Sequence, residues 1–330
     1  MSEQISRREF VQGSLIATAG GALAVSSVPG QVLAQENKPP KVKVTPGSRN
    51  TLPKGKIGNL EMSRLLLGGN LLIGGTHTHG MTFINSLVKG YNTLEKKLET
   101  MAVAESHGID TVGIHTHPGI IDMLKKYRNE WGGKIKIMAS PVAKIEPDLK
   151  AYFDEAKQIV DDGVDAIFIW GARSEQMLSN GRMADLMKMV DFVKELGVPS
   201  GVGAHDLNVI KECEKNKCNA DFYVKTLHHH KYPTAPRPEQ IKGPYSEVSP
   251  SYWCSCPDET IEYMKTVEKP WIAFKTMACG GIPAKDAFPY VLNGGADFVW
   301  AGMFDFDIPD DARLIKESVA SVKRSRPWRS

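Results

Sequence analysis

The chain has 330 residues, of which 42% are hydrophobic and 24% are charged, and this composition is that of a soluble globular protein. It excludes a disordered or fibrous chain. The formal net charge of +3 is spread along the sequence and is not gathered in a basic block, so no nucleic-acid partner is expected.

The first 34 residues have the pattern of an export signal. Arg7 and Arg8 form a twin-arginine pair, a moderately apolar stretch follows, and Ala34 is the small residue that signal peptidase needs. The apolar stretch is too short and too rich in small residues to span a bilayer stably, so no stable membrane anchor is expected. We therefore expect a Tat signal peptide over residues 1–34, the Tat translocon as a partner during export, and a periplasmic or extracellular mature protein.

The elements after the signal predict a barrel. Residues 35–53 are expected to form a flexible polar lead, and residues 54–330 a single domain that opens with a hairpin turning at Gly58 and Asn59. Short apolar runs then alternate with stretches of helical period, which is typical of βαβ units. Strands are predicted over residues 64–69, 110–115, 134–139, 165–170, 198–204, 221–226, 271–276 and 297–301. Eight such units favour a (β/α)8 TIM barrel over a doubly wound sheet.

Five cysteines occur in the chain, and an odd number excludes a fully paired disulfide framework. Their spacings, C-x4-C and C-x-C among them, differ from the C-x2-C of structural zinc sites. Free thiols, one labile disulfide and a zinc-thiolate site all remain open.

Two neighbouring predicted strands, the sixth and the seventh, each carry a lysine near the C-terminal end. Strand alternation leads us to expect Tyr223 and Lys225 on the inward face of one strand, and Ala273 and Lys275 on the inward face of the other. Two ammonium groups in a poorly hydrated pocket lower each other's pKa, and a neutral amine is the form that attacks a carbonyl. The alternative is that one or both lysines face solvent or pair with a carboxylate.

The segments around these lysines are D-F-Y-V-K-T at residues 221–226, F-K-T-M-A-C-G-G-I at residues 274–282 and G-G-A-D at residues 294–297. They resemble the last third of the deoxyribose-phosphate aldolase group of class I aldolases. The resemblance implies a Schiff base on Lys225, a pKa-lowering role for Lys275, and no required cofactor. It does not extend to the loop after residue 226 or to the proton-relay aspartate of that group.

We therefore expect an exported aldolase-type lyase that acts on a small carbonyl or carbohydrate-derived substrate. A histidine at a strand end is expected to carry the proton, and the candidates are His115, His117 and His205. Long loops follow the first and sixth strands, and such loops at the C-terminal face build substrate sites in TIM barrels. The expected substrate-binding residues are Asn70, Trp170, His228, Tyr232, Trp253, Gly280 and Gly281.

A second hypothesis places a divalent metal, zinc or manganese, at the same rim. Histidines and one aspartate end several predicted strands, and such side chains bind these ions. The pattern resembles amidohydrolases, although those place their H-x-H on the first strand. The activity would be that of a metal-dependent hydrolase or isomerase. The candidate ligands are His115, His117, His205, His228 and Asp305.

Two further hypotheses remain. Residues 55–70 are similar to the opening hairpin and first strand of aldo/keto reductases, but no member of the Asp, Tyr, Lys and His tetrad of that family is recognisable at the ends of the second to fourth strands. We therefore rank nicotinamide-dependent reduction below the other activities. The non-enzymatic alternative is a carbohydrate-binding barrel, in which Trp170, Tyr232, Tyr252 and Trp253 stack on a sugar.

Overall fold

The computed structural model describes residues 45, 47, 52–78, 80–241, 247–248, 251–252 and 254–330. The predicted signal peptide and nearly all of the predicted lead lie outside these residues, as does Trp253, so the domain boundaries stay predictions. Within the described part, no helix is long and apolar enough to cross a membrane.

An antiparallel hairpin precedes the barrel. Its strands are β1 (Lys54–Ile57) and β2 (Leu60–Ser63), and the predicted turn at Gly58 and Asn59 is confirmed. Ile57 and Met62 are fully buried and pack against the side chains that fill the barrel interior. The hairpin therefore contributes apolar side chains to the barrel core.

Eight parallel strands close into a barrel in which chain neighbours are sheet neighbours and the last strand pairs with the first. This confirms the predicted (β/α)8 fold. The barrel strands are β3 (Leu65–Gly68), β4 (Thr111–His115), β5 (Lys136–Ser140), β6 (Ala166–Ile169), β7 (Ser200–Ala204), β8 (Phe222–Thr226), β11 (Trp271–Phe274) and β12 (Phe298–Ala301). The long loop after β8 holds a second short hairpin, β9 (Glu247–Val248) and β10 (Ser251–Tyr252).

Helices follow the strands. They are α1 (Phe83–Tyr91), α2 (Leu94–Ser106), α3 (Ile120–Trp131), α4 (Lys150–Asp161), α5 (Gly171–Ser179), α6 (Met183–Glu195), α7 (Leu207–Lys215), α8 (Pro257–Thr266), α9 (Ala284–Asn293) and α10 (Ile308–Ser321). The sequence pattern missed α1 and α5. Helix α5 lacks a clear apolar stripe, because three of its buried residues are the polar Arg173, Ser174 and Glu175.

Two layers of buried side chains show which way each strand residue points. Phe222 and Val224 of β8 belong to the interior cluster, whereas Tyr223 belongs to the layer between strands and helices and donates a hydrogen bond from its hydroxyl to Glu214 of α7. Because side chains alternate along a strand, Lys225 points outward with Tyr223. The expectation that Tyr223 and Lys225 face the barrel interior is therefore wrong.

Candidate active site

A cavity of about 730 Å³ lies at the C-terminal ends of the barrel strands. Large aromatic side chains from three strands and one strand end form much of its wall, namely Phe168, Trp170, Phe274 and Trp300. They stand close together, with ring centroids of Phe168 and Trp300 5.2 Å apart at a steep angle. A wall of this kind favours a substrate or cofactor with a flat, weakly polar part.

An unusual backbone conformation directs the side chain of Lys275 into this cavity. Phe274 belongs to the interior cluster, so alternation alone would turn the next side chain outward. The backbone of Lys275 instead adopts φ 54°, a left-handed conformation that a residue with a side chain rarely takes, and the lysine lines the cavity. The predicted inward position of Lys275 is therefore correct, but Ala273, predicted beside it, lies in the outer layer.

The ammonium of Lys275 has a specific neighbour. Its Nζ lies 2.7 Å from Nε2 of His77, which belongs to the long loop after β3. Burial lowers the pKa of Lys275 to about 8, while the charges of Cys279 and Glu175 oppose this shift. A lysine with this pKa exchanges a proton readily near neutral pH, which makes it a candidate acid or base.

His228 supports the backbone of Lys275. Its ring is fully buried, its Nδ1 lies 3.0 Å from the carbonyl oxygen of Lys275, and its Nε2 accepts a hydrogen bond from the backbone N–H of Cys254 at 3.2 Å. Since Nε2 is an acceptor, the proton lies on Nδ1 and is donated to Lys275. Burial lowers the pKa of His228 to about 3, so the ring stays neutral. His228 is a positioning residue, because it ties the loop after β8 to the end of β11.

His205 is held by a buried carboxylate. Its Nδ1 lies 3.1 Å from Oε2 of Glu175, and Glu175 also accepts the backbone N–H of Asp206 at 2.9 Å. Burial lowers the pKa of His205 to about 4 although Glu175 opposes the shift, so we take the pair as a neutral imidazole that donates to a carboxylate. The ring lines the cavity. This arrangement fixes the tautomer and the orientation of the imidazole.

His115 also lines the cavity, with its ring 4.8 Å from that of Trp170. Its Nδ1 is buried and has no hydrogen-bond partner among the described residues. Burial lowers its pKa to about 4, and the charges of His117, Arg173 and Lys275 act in the same direction. His115 is therefore a neutral ring that is available to a bound ligand.

The other predicted site residues are scattered. Lys225 is fully buried outside the cavity, where its Nζ donates to the backbone oxygen and the hydroxyl of Thr226 at 3.0 and 2.9 Å. His117 is exposed. Asp305 accepts hydrogen bonds from Tyr91 at 2.6 Å and Lys96 at 3.1 Å, and it lies outside the cavity wall.

The predicted substrate-binding residues divide in the same way. Asn70, Trp170 and Gly280 line the cavity. Tyr232 and Gly281 do not line it but lie against each other, since a Cβ on Gly281 would lie 2.8 Å from Cδ2 of Tyr232. Gly281 therefore leaves room for this ring.

The proposed metal ligands do not converge. In the part of the chain that the structure describes, no three side chains of His, Cys, Asp or Glu are grouped to hold a metal ion. His228 and Asp305 are engaged elsewhere, as described above. All five cysteines are free thiols in this structure.

Several residues of the site were missed from the sequence. Glu175, which holds His205, lies on the unpredicted helix α5, and Asp307 and Asp311, which line the cavity, lie at the start of α10. His77 belongs to an H-x-H pattern, with His79, in the long loop after the first barrel strand. The two aspartates follow the last strand, as Asp305 does, and their position at a helix start was the available signal.

No protein-family model and no curated protein matches the chain. Solved structures resemble its fold. Two structures of a putative aldo-keto reductase from Pseudomonas aeruginosa give TM-scores of 0.56 and 0.55 at 13% and 14% identity, covering 82% and 85% of this chain and 98% and 99% of theirs. An aldo-keto reductase from Bacillus halodurans, in its holo form, gives 0.51 at 12% identity, covering 84% of this chain and 99% of its own. At such low identity the likeness shows the fold alone.

These neighbours correct the predicted activity. The prediction of an aldolase-type lyase depended on Lys225, which lies outside the cavity. The three solved structures above that share the fold are described as aldo-keto reductases, which are oxidoreductases and not lyases, so this prediction is corrected. The metal-dependent hydrolase or isomerase and the non-catalytic carbohydrate-binding barrel are not better supported. The low rank given to an oxidoreductase is corrected on the same finding.

The expected cofactors are corrected as well. We expected no required cofactor, with zinc or manganese as the alternative, whereas one of the structural neighbours is described as a holo form. The absence of a grouped set of metal ligands among the described residues agrees with this correction for the metal.

Proposed function

We propose that the chain is an oxidoreductase that reduces a carbonyl group of a small molecule, with Lys275 as the proton donor. The observation that carries this proposal is the contact of 2.7 Å between Nζ of Lys275 and Nε2 of His77 at a cavity with aromatic walls. The shared barrel fold agrees with it. The reaction adds a hydride to the carbonyl carbon and a proton to its oxygen, which gives an alcohol.

A nicotinamide dinucleotide is the cofactor that this reaction implies, and the cavity residues fit it. The aromatic walls suit a nicotinamide ring. The start of α9 suits its diphosphate, because Ile282 and Ala284 line the cavity and the N-cap residue, Pro283, makes no side-chain capping bond. A Cβ on Gly280 would meet nothing within 4 Å, so the backbone is open to close approach there. When bound, the nicotinamide supplies the hydride.

The residues of the chain account for the proton. Below pH 8 the Lys275 ammonium is protonated, and it can donate one hydrogen bond to His77 and another to a carbonyl oxygen. The ammonium therefore polarises the carbonyl and then protonates the oxygen as the alcohol forms. Neutral His115 and His205 line the same cavity and can orient the substrate. The aromatic walls keep water away from the reacting groups.

Cofactor binding and turnover test the proposal separately. Binding of NADPH and NADH is followed by cofactor fluorescence, and oxidation by absorbance with a panel of aldehydes and ketones. Lys275→Met should keep cofactor binding and lower kcat at least about 100-fold, which is the usual contribution of a positioned acid. Lys215→Met, at an exposed lysine of α7, is the matched control and should leave both unchanged.

Two results would contradict the proposal. One is a native protein that binds neither nicotinamide nucleotide. The other is a Lys275→Met variant that reduces the same carbonyl compounds at the native rate.

We further propose that the protein is exported folded through the Tat pathway and takes its cofactor with it, supported by Arg7, Arg8 and Ala34. Cell fractionation tests this, since the double variant Arg7→Lys, Arg8→Lys should stay in the cytoplasm.

A shared origin of residues 221–297 with the deoxyribose-phosphate aldolase group is a proposal about ancestry alone, which sequence intermediates between the two would test.

A further inference from the structure

Two carboxylates open on the same cavity as Lys275. Asp307 is the N-cap residue of α10, Asp311 lies in its first turn, and both line the cavity wall. Asp307 accepts a hydrogen bond from the backbone N–H of Phe304 at 3.2 Å and is half-buried. Asp310, between them in sequence, is exposed and pairs with Arg313. At the start of α10, two carboxylates therefore face the cavity and one faces solvent.

Asp311 is the unusual member of this turn. It is only 7% exposed, and among the described residues its carboxylate makes no hydrogen bond or ion pair. Burial raises its pKa to about 7, and the charges of Asp307 and Asp310 add to the shift. A buried carboxylate without a partner is costly, so the natural occupant of the space beside it is a group that donates hydrogen bonds or carries positive charge.

Among the described residues, no side chain of the cavity forms a hydrogen bond or ion pair with Asp311. The cavity-lining side chains of α1 are the apolar Ile84 and Val88, and the loop before α1 contributes Met81 together with four polar side chains, Asn70, Thr76, His77 and Thr78. Lys96 of α2 is bound to Glu99 and Asp305. Among the described residues that line the cavity, Lys275 is the one lysine or arginine, and it is engaged with His77.

We propose that the substrate carries a protonated amino group, which binds between Asp311 and Asp307 while its carbonyl group lies at Lys275. The inference rests on the proposed function and deepens it by naming the substrate class, an amino-aldehyde or amino-ketone. Charge fixes the orientation, because the Lys275 ammonium repels the amino group and the two carboxylates attract it. Apolar side chains of the same cavity, among them Met81 and Ile84, accommodate the carbon skeleton.

A binding measurement that needs no turnover tests this inference. Benzylammonium and benzyl alcohol have nearly the same shape and differ in charge, and calorimetry at pH 8.5, where Asp311 is ionised, gives the affinity of each for the full-length protein. We expect benzylammonium to bind at least tenfold more tightly. Asp311→Asn should remove this preference and leave the affinity for benzyl alcohol within about twofold. The matched control Asp310→Asn, which deletes the neighbouring exposed carboxylate, should keep the preference.

The outcomes separate the two proposals. Equal affinities of the native protein for benzylammonium and benzyl alcohol would overturn the amino-group site, even if the protein reduces neutral aldehydes. A preference that survives in both Asp311→Asn and Asp307→Asn would overturn it as well. If the preference depends on Asp311 but no nicotinamide nucleotide binds, the cation site stands and the proposed reduction falls.

Discussion

Lys275 shows how one backbone angle decides the chemistry of a site. A left-handed φ at a residue with a side chain costs on the order of 1–3 kcal/mol, and the surrounding structure must offset it. Two interactions of its carbonyl oxygen do so here, with the backbone N–H of Ala278 at 2.9 Å and with Nδ1 of His228 at 3.0 Å. The strained backbone therefore holds the ammonium in the cavity.

The proton-donor role of Lys275 predicts a pH dependence. Its pKa is lowered to about 8, chiefly by burial, and only the protonated form donates. For carbonyl reduction, kcat/KM should therefore be nearly constant below about pH 7 and fall about tenfold per pH unit above the pKa. The measurement is kcat/KM from pH 6 to 10 with a neutral aldehyde. A native profile that stays level through this range would contradict the assignment, and the residual activity of Lys275→Met should lack the fall.

At the scale of elements, the barrel interior depends on glycines that leave room for a large side chain or for the backbone of another strand. Trp300 of β12 lies over Gly113 of β4, where a Cβ would come within 2.2 Å of the indole ring. Gly203 of β7 likewise meets the backbone of Ile169 and Gly171 at 2.7 and 2.9 Å. The glycines make space for the aromatic walls of the cavity, because close-packed interiors tolerate no overlap.

Gly113→Ala tests this packing. The added methyl group must displace the ring of Trp300, and such overpacking usually costs about 1–3 kcal/mol in the free energy of unfolding. Urea unfolding measures this cost, and kcat should fall because Trp300 lines the cavity. Gly90→Ala on α1 is the control, since a Cβ there meets nothing within 4 Å and alanine favours a helix. Equal stabilities of the two variants would disprove the packing argument.

At the scale of the whole molecule, the C-terminal segment completes the barrel. Arg326 is fully buried, and its guanidinium donates to the carboxylate of Asp297 at 2.6 Å and to the backbone oxygens of Met264 and Val267 at 2.8 and 3.0 Å. Asp297 in turn accepts the backbone N–H of Trp271 at 2.9 Å. One arginine therefore joins the end of α8 to the starts of β11 and β12.

Removing this arginine should weaken the entire fold. Arg326→Met leaves Asp297 buried with one cation fewer, and breaking a buried pair in this way usually costs about 3–5 kcal/mol. The midpoint of thermal unfolding should fall clearly, with one cooperative transition. Arg313→Met, which removes only an exposed arginine of α10, should leave the midpoint unchanged. Equal midpoints for the two variants would show that the C-terminal segment is dispensable.

The strands and most helices were predictable because their signals are local. An apolar run such as residues 165–170 needs only neighbouring residues to be recognised, and the strand found there begins and ends within one residue of the prediction. Helix α5 was not predictable, because its inward face carries the polar Glu175 and so lacks an apolar pattern. Hydrogen bonds with His205 and Asp206 hold this carboxylate in the interior.

The sequence by itself determined the order of the elements, the barrel class and the end of the barrel where side chains with reactive groups gather. Only the tertiary structure decided which of them meet. Alternation along β8 turns Lys225 away from the cavity, whereas a left-handed backbone turns Lys275 into it. His77 and Lys275 are 198 positions apart, and Asp311 faces the same cavity from the last helix. The physical reason is that periodicity is a property of adjacent residues, while burial, backbone strain and charge pairing depend on residues that only the closed barrel brings together.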